Sequence, residues 1–109
     1  MSDILNQIDS EVKANKIIVY MKGTKDAPQC GFSAAVVDAF NSLNVNFETR
    51  DILASNELRE GIKKYSNWPT IPQVFIGGKF VGGCDITREL FATGELEKLV
   101  QEALKEIAK

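Results

Sequence analysis

Residues 17–43 read IIVYMKGTKDAPQCGFSAAVVDAFNSL. The run 17–21 is continuous, apolar and rich in β-branched side chains, which predicts a central strand buried on both faces. A polar loop follows at 22–29, where glycine and proline favour turns. Apolar side chains then recur at helical spacing over 35–43, which predicts a helix that starts close to Cys30. The stretch therefore places a cysteine between a buried strand and a helix.

The rest of the chain extends this strand–helix pair in both directions. Before it we predict a helix capped by Ser2 or Asp3 and ended by Asn15. After it we predict a strand at 46–52, a helix capped by Ser55, and a hairpin of 74–76 and 79–81 turned at Gly77-Gly78. The chain then continues with a helix from about Asp85 to Gly94 and ends with a helix whose apolar stripe extends from Leu96 to Ile107. The order α-β-α-β-α-β-β-α-α predicts an α/β fold with a central four-stranded mixed sheet and helices on both faces. A length of 109 residues suits a single domain, 1–109.

Composition and charge restrict the partners and the location. A net charge of −2 without a basic run argues against nucleic acid or an acidic membrane as the main partner. No apolar run approaches the roughly 20 residues that span a bilayer. The segment 1–5 has neither a basic nor an apolar leader pattern. We therefore expect a cytoplasmic protein, or an organelle-matrix protein if a presequence has been removed.

The chain has no histidine and two cysteines, Cys30 and Cys84. Without histidine, a Ser-His-Asp triad, a Cys-His pair and a His-bound zinc site are excluded. A structural disulfide between the two cysteines is one interpretation, but such bridges are rare in reducing compartments. The absence of a secretory signal favours a cysteine kept for its reactivity.

Cys30 is the better candidate for a reactive thiol. The start of a helix presents unpaired N–H groups and partial positive charge, which stabilise a thiolate and lower its pKa. Lys22, on the approach to the loop, adds a full positive charge. Ser33 stands where a C-x-x-C motif has its second thiol, so an intramolecular disulfide within that motif is impossible. Whether Cys84 can pair with Cys30 is not decided by the spacing.

Four blocks of sequence resemble the CGFS-type monothiol glutaredoxins. They are Met21-Lys22-Gly23, Cys30-Gly31-Phe32-Ser33, Trp68-Pro69-Thr70-Ile71-Pro72-Gln73 and Gly82-Gly83-Cys84-Asp85. The resemblance extends over essentially the whole chain and implies a thioredoxin-like fold. The five-residue stretch 23–27 resembles the longer loop of this class. Lys25 departs from the pattern, since many members have proline there, and we expect a more basic and less rigid loop.

The resemblance also implies a glutathione site around Cys30. Lys22 and Arg59 would hold the glycine carboxylate as cations. Ile71, before a cis-proline, would pair its backbone with the cysteinyl amide groups. The backbone N–H groups of Cys84 and Asp85 would bind the γ-glutamyl carboxylate, and the Asp85 side chain its ammonium. A helix cap is the alternative role of Asp85.

Four neighbouring side chains are predicted to have no part in the site. Trp68 and Phe32 are interpreted as packing residues. Lys63 and Lys64 are interpreted as exposed charges of the third helix.

Two functions follow from the resemblance. The first is a carrier of a [2Fe–2S] cluster, which needs four ligands; Cys30 of each of two chains and one glutathione sulfur apiece would supply them. The cluster-bound form would be a homodimer and the apo form largely monomeric. Apo iron–sulfur client proteins and a BolA-like protein are the further partners implied. The alternative is a glutathione-dependent oxidoreductase that reduces mixed disulfides by a monothiol route through Cys30.

Overall fold

The computed structural model of the chain describes residues 3–105. In chain order the elements are α1 (Asp3–Ala14), β1 (Ile17–Met21), β2 (Gly23–Thr24), β3 (Ala27–Pro28), α2 (Gly31–Ser42), β4 (Glu48–Asp51), a 3-10 turn (Ile52–Ala54), α3 (Asn56–Ser66), β5 (Gln73–Ile76), β6 (Lys79–Gly82), α4 (Cys84–Thr93) and α5 (Glu95–Lys105). Ser2 and Ile107, predicted as a helix cap and as the end of an apolar stripe, lie outside the described residues.

The main sheet has the strand order β4-β1-β5-β6. β1 pairs with β4 in parallel and with β5 antiparallel, and β6 pairs antiparallel with β5. All five side chains of β1 are buried. The predicted four-stranded mixed sheet and the central position of its first strand are therefore confirmed.

Helices cover both faces of this sheet, as predicted. One face packs against α2, α4 and α5, with a core formed by Ile17, Val19, Met21, Val36, Val37, Ala39, Phe40, Phe47, Val74, Ile76, Cys84, Leu96, Val100 and Ala103. The other packs against α1 and α3, with a core formed by Ile8, Val12, Ile18, Tyr20, Ile52, Leu58, Ile62 and Phe75. Alternate residues of β1 serve the two cores because successive strand side chains point to opposite faces.

Local backbone chemistry explains the turns. Gly77 and Gly78 both have positive φ, 62° and 81°, as a two-residue hairpin turn requires. The Ser55 hydroxyl accepts a hydrogen bond from the N–H of Leu58 at 3.1 Å and caps α3. Gly94 ends α4 in the left-handed conformation. These three sequence predictions are confirmed.

The structure corrects three boundaries. The segment 22–29, predicted as a loop, contains a small two-stranded sheet, β2–β3. The first residue of β2 has to be glycine, because the φ of Gly23 is 87° and a Cβ there would lie 2.6 Å from the Ala27 carbonyl oxygen. The strand predicted at 46–52 is shorter, because Asp51 accepts a hydrogen bond from the N–H of Leu53 and starts a 3-10 turn. α4 begins at Cys84, capped by Gly83, so Asp85 is not its cap.

The site lies where several of these elements end. β1 ends at Met21, beside Asp51 at the end of its parallel partner. The start of β5, Gln73, pairs with Tyr20 at the same end of β1. Among residues 3–105, no helix has both the length and the apolar character needed to cross a membrane.

Phe40 tests the packing of α2 on the sheet. Its ring is fully buried and lies 5.4 Å from that of Phe47, centroid to centroid. We expect Phe40→Ala to lower the free energy of unfolding by about 3–5 kcal/mol, because a large buried ring is replaced by a cavity. Phe91→Ala is the matched control, since Phe91 is 40% exposed, and we expect it to change stability by less than about 1 kcal/mol. Urea denaturation of both variants measures this, and equal losses would contradict the assigned core.

Candidate functional site

A cavity of about 470 Å³ opens at this end of the sheet. Its lining consists of Lys22, Cys30, Phe32, Arg59, Lys63, Trp68, Pro69, Thr70, Ile71, Pro72, Gly83, Cys84, Asp85 and Ile86. All six residues predicted for the site are among them: Lys22, Cys30, Arg59, Ile71, Cys84 and Asp85. They come from positions spread over more than half of the chain, and the fold brings them together.

Cys30 is the N-cap residue of α2 and has an extended backbone. Its side chain is partly exposed, and no disulfide engages it. The backbone N–H groups of Ser33 and Phe32 and the Ser33 hydroxyl stabilise the thiolate and hold the pKa of the thiol below its usual range. The charge of Lys22 lowers it further, as the smallest of these contributions. The helix start is therefore the main cause of a stabilised thiolate, as the sequence predicted.

Ser33 connects the end of the central strand to the first turn of α2. Its side chain is fully buried. The Ser33 Oγ accepts a hydrogen bond from the N–H of Lys22 at 3.2 Å. A hydroxyl group thus occupies the place of a second thiol and also fixes Lys22 relative to Cys30.

Cys84 has the opposite environment from Cys30. It is 8% exposed and belongs to the core beneath α4. Burial raises the pKa of its thiol; Arg88 opposes this rise and the Asp85 carboxylate adds to it. Both cysteines are free, so the structural disulfide considered from the sequence is not formed. The two thiols therefore lie in different environments: that of Cys30 favours the thiolate, and that of Cys84 disfavours it.

Three cations line the cavity on one side. Lys22 follows β1, and Arg59 lies on α3, as the sequence indicated. The third is Lys63, and its interpretation as an exposed helix charge was wrong: its side chain is 29% exposed, lines the cavity and lies 3.8 Å from Glu60. The signal was available, since residues four apart such as Arg59 and Lys63 share one face of a helix.

The turn before β5 presents backbone to the cavity. The Ile71–Pro72 peptide bond is cis, as predicted. Gln73, fully buried, donates from Nε2 to the carbonyl oxygens of Trp68 and Thr70 at 3.0 and 3.1 Å. No hydrogen bond engages the Ile71 backbone within the described residues 3–105. Gln73 is a positioning residue that the sequence analysis did not identify.

Phe32 and Trp68 both line the cavity. The ring of Trp68 packs against Phe80, with centroids 5.6 Å apart, so its packing role is confirmed, although it also faces the cavity. Phe32 is 61% exposed, and its interpretation as a packing residue was wrong. The ring lies in the first turn of α2, two residues after Cys30, and lines the same cavity.

The arrangement suits a small thiol ligand with charges at both ends. Lys22, Arg59 and Lys63 offer positive charge, and two of them come from the α3 side of the sheet. Asp85 and the first N–H groups of α4 come from the opposite side, on the helix that packs against α2. The Cys30 thiolate opens into the same cavity and can attack or bind a sulfur held there.

Comparison with known proteins agrees with this geometry. The sequence profile described as Glutaredoxin matches residues 17–81. The chain is 58% identical, over 90% of its length and 92% of the relative's, to a monothiol glutaredoxin of Synechocystis. It is 53% identical to a chloroplastic monothiol glutaredoxin of Arabidopsis thaliana, over 89% of this chain, and spans 56% of that longer protein.

Solved structures share the fold. The reduced apo glutaredoxin S14 of poplar superposes with a TM-score of 0.81 at 50% identity, over 91% of both chains. A buckwheat glutaredoxin in complex with glutathione superposes with a TM-score of 0.82 at 26% identity, over 92% of this chain and 89% of that one. The thioredoxin-like fold inferred from the sequence is thereby confirmed.

The two thiols should differ in their reaction with iodoacetamide. We expect the alkylation of Cys30 to follow a pKa below the value of about 8.5 of an ordinary cysteine, because helix N–H groups stabilise the thiolate. A larger fraction of Cys30 is then ionised at neutral pH. Cys84 should react slowly until the protein unfolds, since burial raises the pKa of its thiol.

Mass spectrometry of peptides alkylated over a pH series measures both rates. Cys84→Ser isolates Cys30 and provides the control. A Cys30 thiol that titrates at or above the ordinary value would contradict the site as described.

Proposed function

The chain belongs to the glutaredoxin family, in its monothiol class, and from this premise we propose that it binds glutathione and carries a [2Fe–2S] cluster bridged between two copies of the chain. In this proposal residues 1–109 act as one glutaredoxin domain. The protein would serve in the assembly, storage or transfer of iron–sulfur clusters. The single observation that carries the proposal is Cys30: a partly exposed thiol of lowered pKa at the start of α2, with a buried hydroxyl, Ser33, in place of a second thiol.

Glutathione fits the charges around the cavity. Its glycine carboxylate would be bound by Lys22 and Arg59, with Lys63 as a third cation. The backbone of Ile71 would pair with the cysteinyl residue, as one strand edge pairs with another. The N–H groups of Cys84 and Asp85 would bind the γ-glutamyl carboxylate, and the Asp85 side chain its ammonium. The glutathione complex of the buckwheat relative supports this ligand.

The ligand count favours a cluster shared between two chains. A [2Fe–2S] cluster takes four ligands, usually thiolates. Within residues 3–105, no group of three or more Cys, His, Asp or Glu side chains could hold a metal ion. Cys84 is buried and its thiol has a raised pKa, so each chain offers one thiolate, that of Cys30. Two chains with one glutathione sulfur each complete the set, and the glutathione ligands can exchange when the cluster is passed to a client protein.

The residues of the chain have defined tasks in this proposal. The helix N–H groups would stabilise the thiolate of Cys30, which is the form that binds iron. The cations and Asp85 hold glutathione so that its sulfur lies beside Cys30. Ser33 prevents the C-x-x-C disulfide that would compete for the Cys30 sulfur. The exposed ring of Phe32 lies next to the thiol, where a second chain or a client would approach.

A monothiol oxidoreductase is the second candidate, because it would use the same exposed thiolate and cavity. Cys30 would attack the glutathione sulfur of a mixed disulfide and release the other partner as a thiolate. A second glutathione would then restore Cys30 and leave as glutathione disulfide. Fast turnover in a mixed-disulfide assay by the unmodified protein would favour this function over the carrier.

The other partners rest on family resemblance alone. Apo iron–sulfur clients and a BolA-like protein stay proposals, as does the cytoplasmic location. The chloroplastic name of the Arabidopsis relative supports the organelle alternative.

Anaerobic reconstitution with iron and sulfide tests the proposed function. We expect the visible absorption of a [2Fe–2S] cluster to develop when glutathione is present and not in its absence. Cys30→Ser should abolish iron and sulfide binding, because it removes the one accessible thiolate. Cys84→Ser should retain most of it and serves as the matched control.

Iron and sulfide per chain, measured in both variants, provide the decisive numbers. Stable cluster binding without glutathione or another added thiol would make Cys84 a ligand and refute the assignment. Equal losses in the two variants would refute the separate roles of the two cysteines.

A further inference from the structure

Lys25, at the tip of the β2–β3 hairpin, attaches the hairpin to the body of the protein. Its Nζ donates a hydrogen bond to the carbonyl oxygen of Phe47 at 2.8 Å. The same ammonium group lies 5.0 Å from the centroid of the Phe47 ring, a cation–π contact. One lysine thus makes two contacts with one residue of a different segment.

Phe47 is a firm attachment point. It is 6% exposed and its ring packs at 5.4 Å against that of Phe40 on α2. It also lies immediately before β4, the parallel neighbour of β1. Lys25 therefore joins the hairpin to the hydrophobic core, and not to another exposed side chain.

Further hydrogen bonds fix the rest of the loop. The N–H of Gly23 donates to Asp51 Oδ1 at 2.9 Å, at the end of β4. The N–H of Gln29 donates to the carbonyl oxygen of Lys22 at 2.9 Å and closes the base of the loop. Cys30 follows Gln29 directly. The spacing of Lys22 and Cys30 thus depends on a loop held at its base, its side and its tip.

We propose that Lys25 is a positioning residue for the site: its contact with Phe47 restrains the 22–30 loop, and this restraint keeps Lys22 and Cys30 in a fixed arrangement on the cavity wall. The effect on ligand binding rests on the proposed function. The restraint of the loop does not, since it concerns contacts within the chain.

The turn geometry provides an independent way to test a restraint. Lys25 is the first of the two residues between Thr24 and Ala27, which pair across the hairpin. Among the described non-glycine residues, positive φ occurs at Asn44 and Asn67, so φ at Lys25 is negative. Proline is favoured at this position of a common turn because its ring fixes such a φ. Lys25→Pro would therefore restrain the turn through the backbone without the side-chain contact.

Hydrogen exchange of the loop amides, followed by NMR, tests the restraint in the full chain. In Lys25→Met, which keeps the apolar stem and removes the ammonium, we expect the amides of Gly23, Ala27 and Gln29 to exchange about fivefold faster, as for the loss of one hydrogen bond. Lys25→Pro should return them close to the wild-type rates. Lys98→Met, which removes an exposed lysine on α5, is the charge-matched control and should change nothing.

Two further readouts separate positioning from general damage. The alkylation pKa of Cys30 should stay as in the wild type, because the amides of α2 are its main cause. The affinity for reduced glutathione, measured by calorimetry, should fall about twofold to fivefold in Lys25→Met, in proportion to the fraction of chains with an ordered loop, and recover in Lys25→Pro.

Loop exchange unchanged in Lys25→Met would overturn the proposal. Failure of Lys25→Pro to restore exchange and affinity would also overturn it, since the ammonium charge and not the restraint would then matter. If wild-type protein binds no glutathione, the proposed function fails, and the exchange rates still decide whether Lys25 restrains the loop.

Discussion

β1 is buried on both faces, and this burial determines how the helices pack around the sheet. All five of its side chains are buried, so each face of the strand must be covered by helices. α2, α4 and α5 pack on one face, and α1 and α3 on the other. Such a buried strand ends where the chain becomes polar, and β1 ends at Met21, immediately before Lys22. The first residue after the strand is thus a cation, and it lies at the end of the sheet where the cavity opens.

The chemistry of the site follows from the groups that come together at this end of the sheet. α2 starts where the loop returns, so its free N–H groups point at Cys30 and stabilise the thiolate. Ser33 ties that helix start to Lys22 through a 3.2 Å hydrogen bond. Cys84, in a core beneath α4, keeps a raised pKa instead. One fold therefore shifts the pKa values of its two cysteines in opposite directions, and this difference underlies the separate roles proposed for Cys30 and Cys84.

The sequence predicted most reliably those features that have a local cause. β1 is apolar at every position, the hairpin has the Gly77-Gly78 pair, and Ser55 caps α3. The strand, the turn and the helix start could therefore each be predicted from a few neighbouring residues. Five of the six proposed site residues lie in the short blocks of sequence that the chemistry singles out, and the sixth, Arg59, lies on α3. Strand and helix boundaries were less accurate where a side chain intervened, as Asp51 does when it ends β4.

Features that depend on how distant segments pack together could not be predicted from neighbouring residues. Phe32 is apolar, yet it is 61% exposed at the start of α2. Lys25 was expected to leave its loop less rigid, whereas its contact is with Phe47, 22 residues away in sequence. We propose that two chains share one cluster through Cys30 and bound glutathione, and native mass spectrometry of anaerobically loaded protein can test this. We expect single chains in the apo sample and, after loading, a species of two chains, one [2Fe–2S] cluster and two glutathiones. A cluster on a single chain, or a loaded dimer without glutathione, would contradict it.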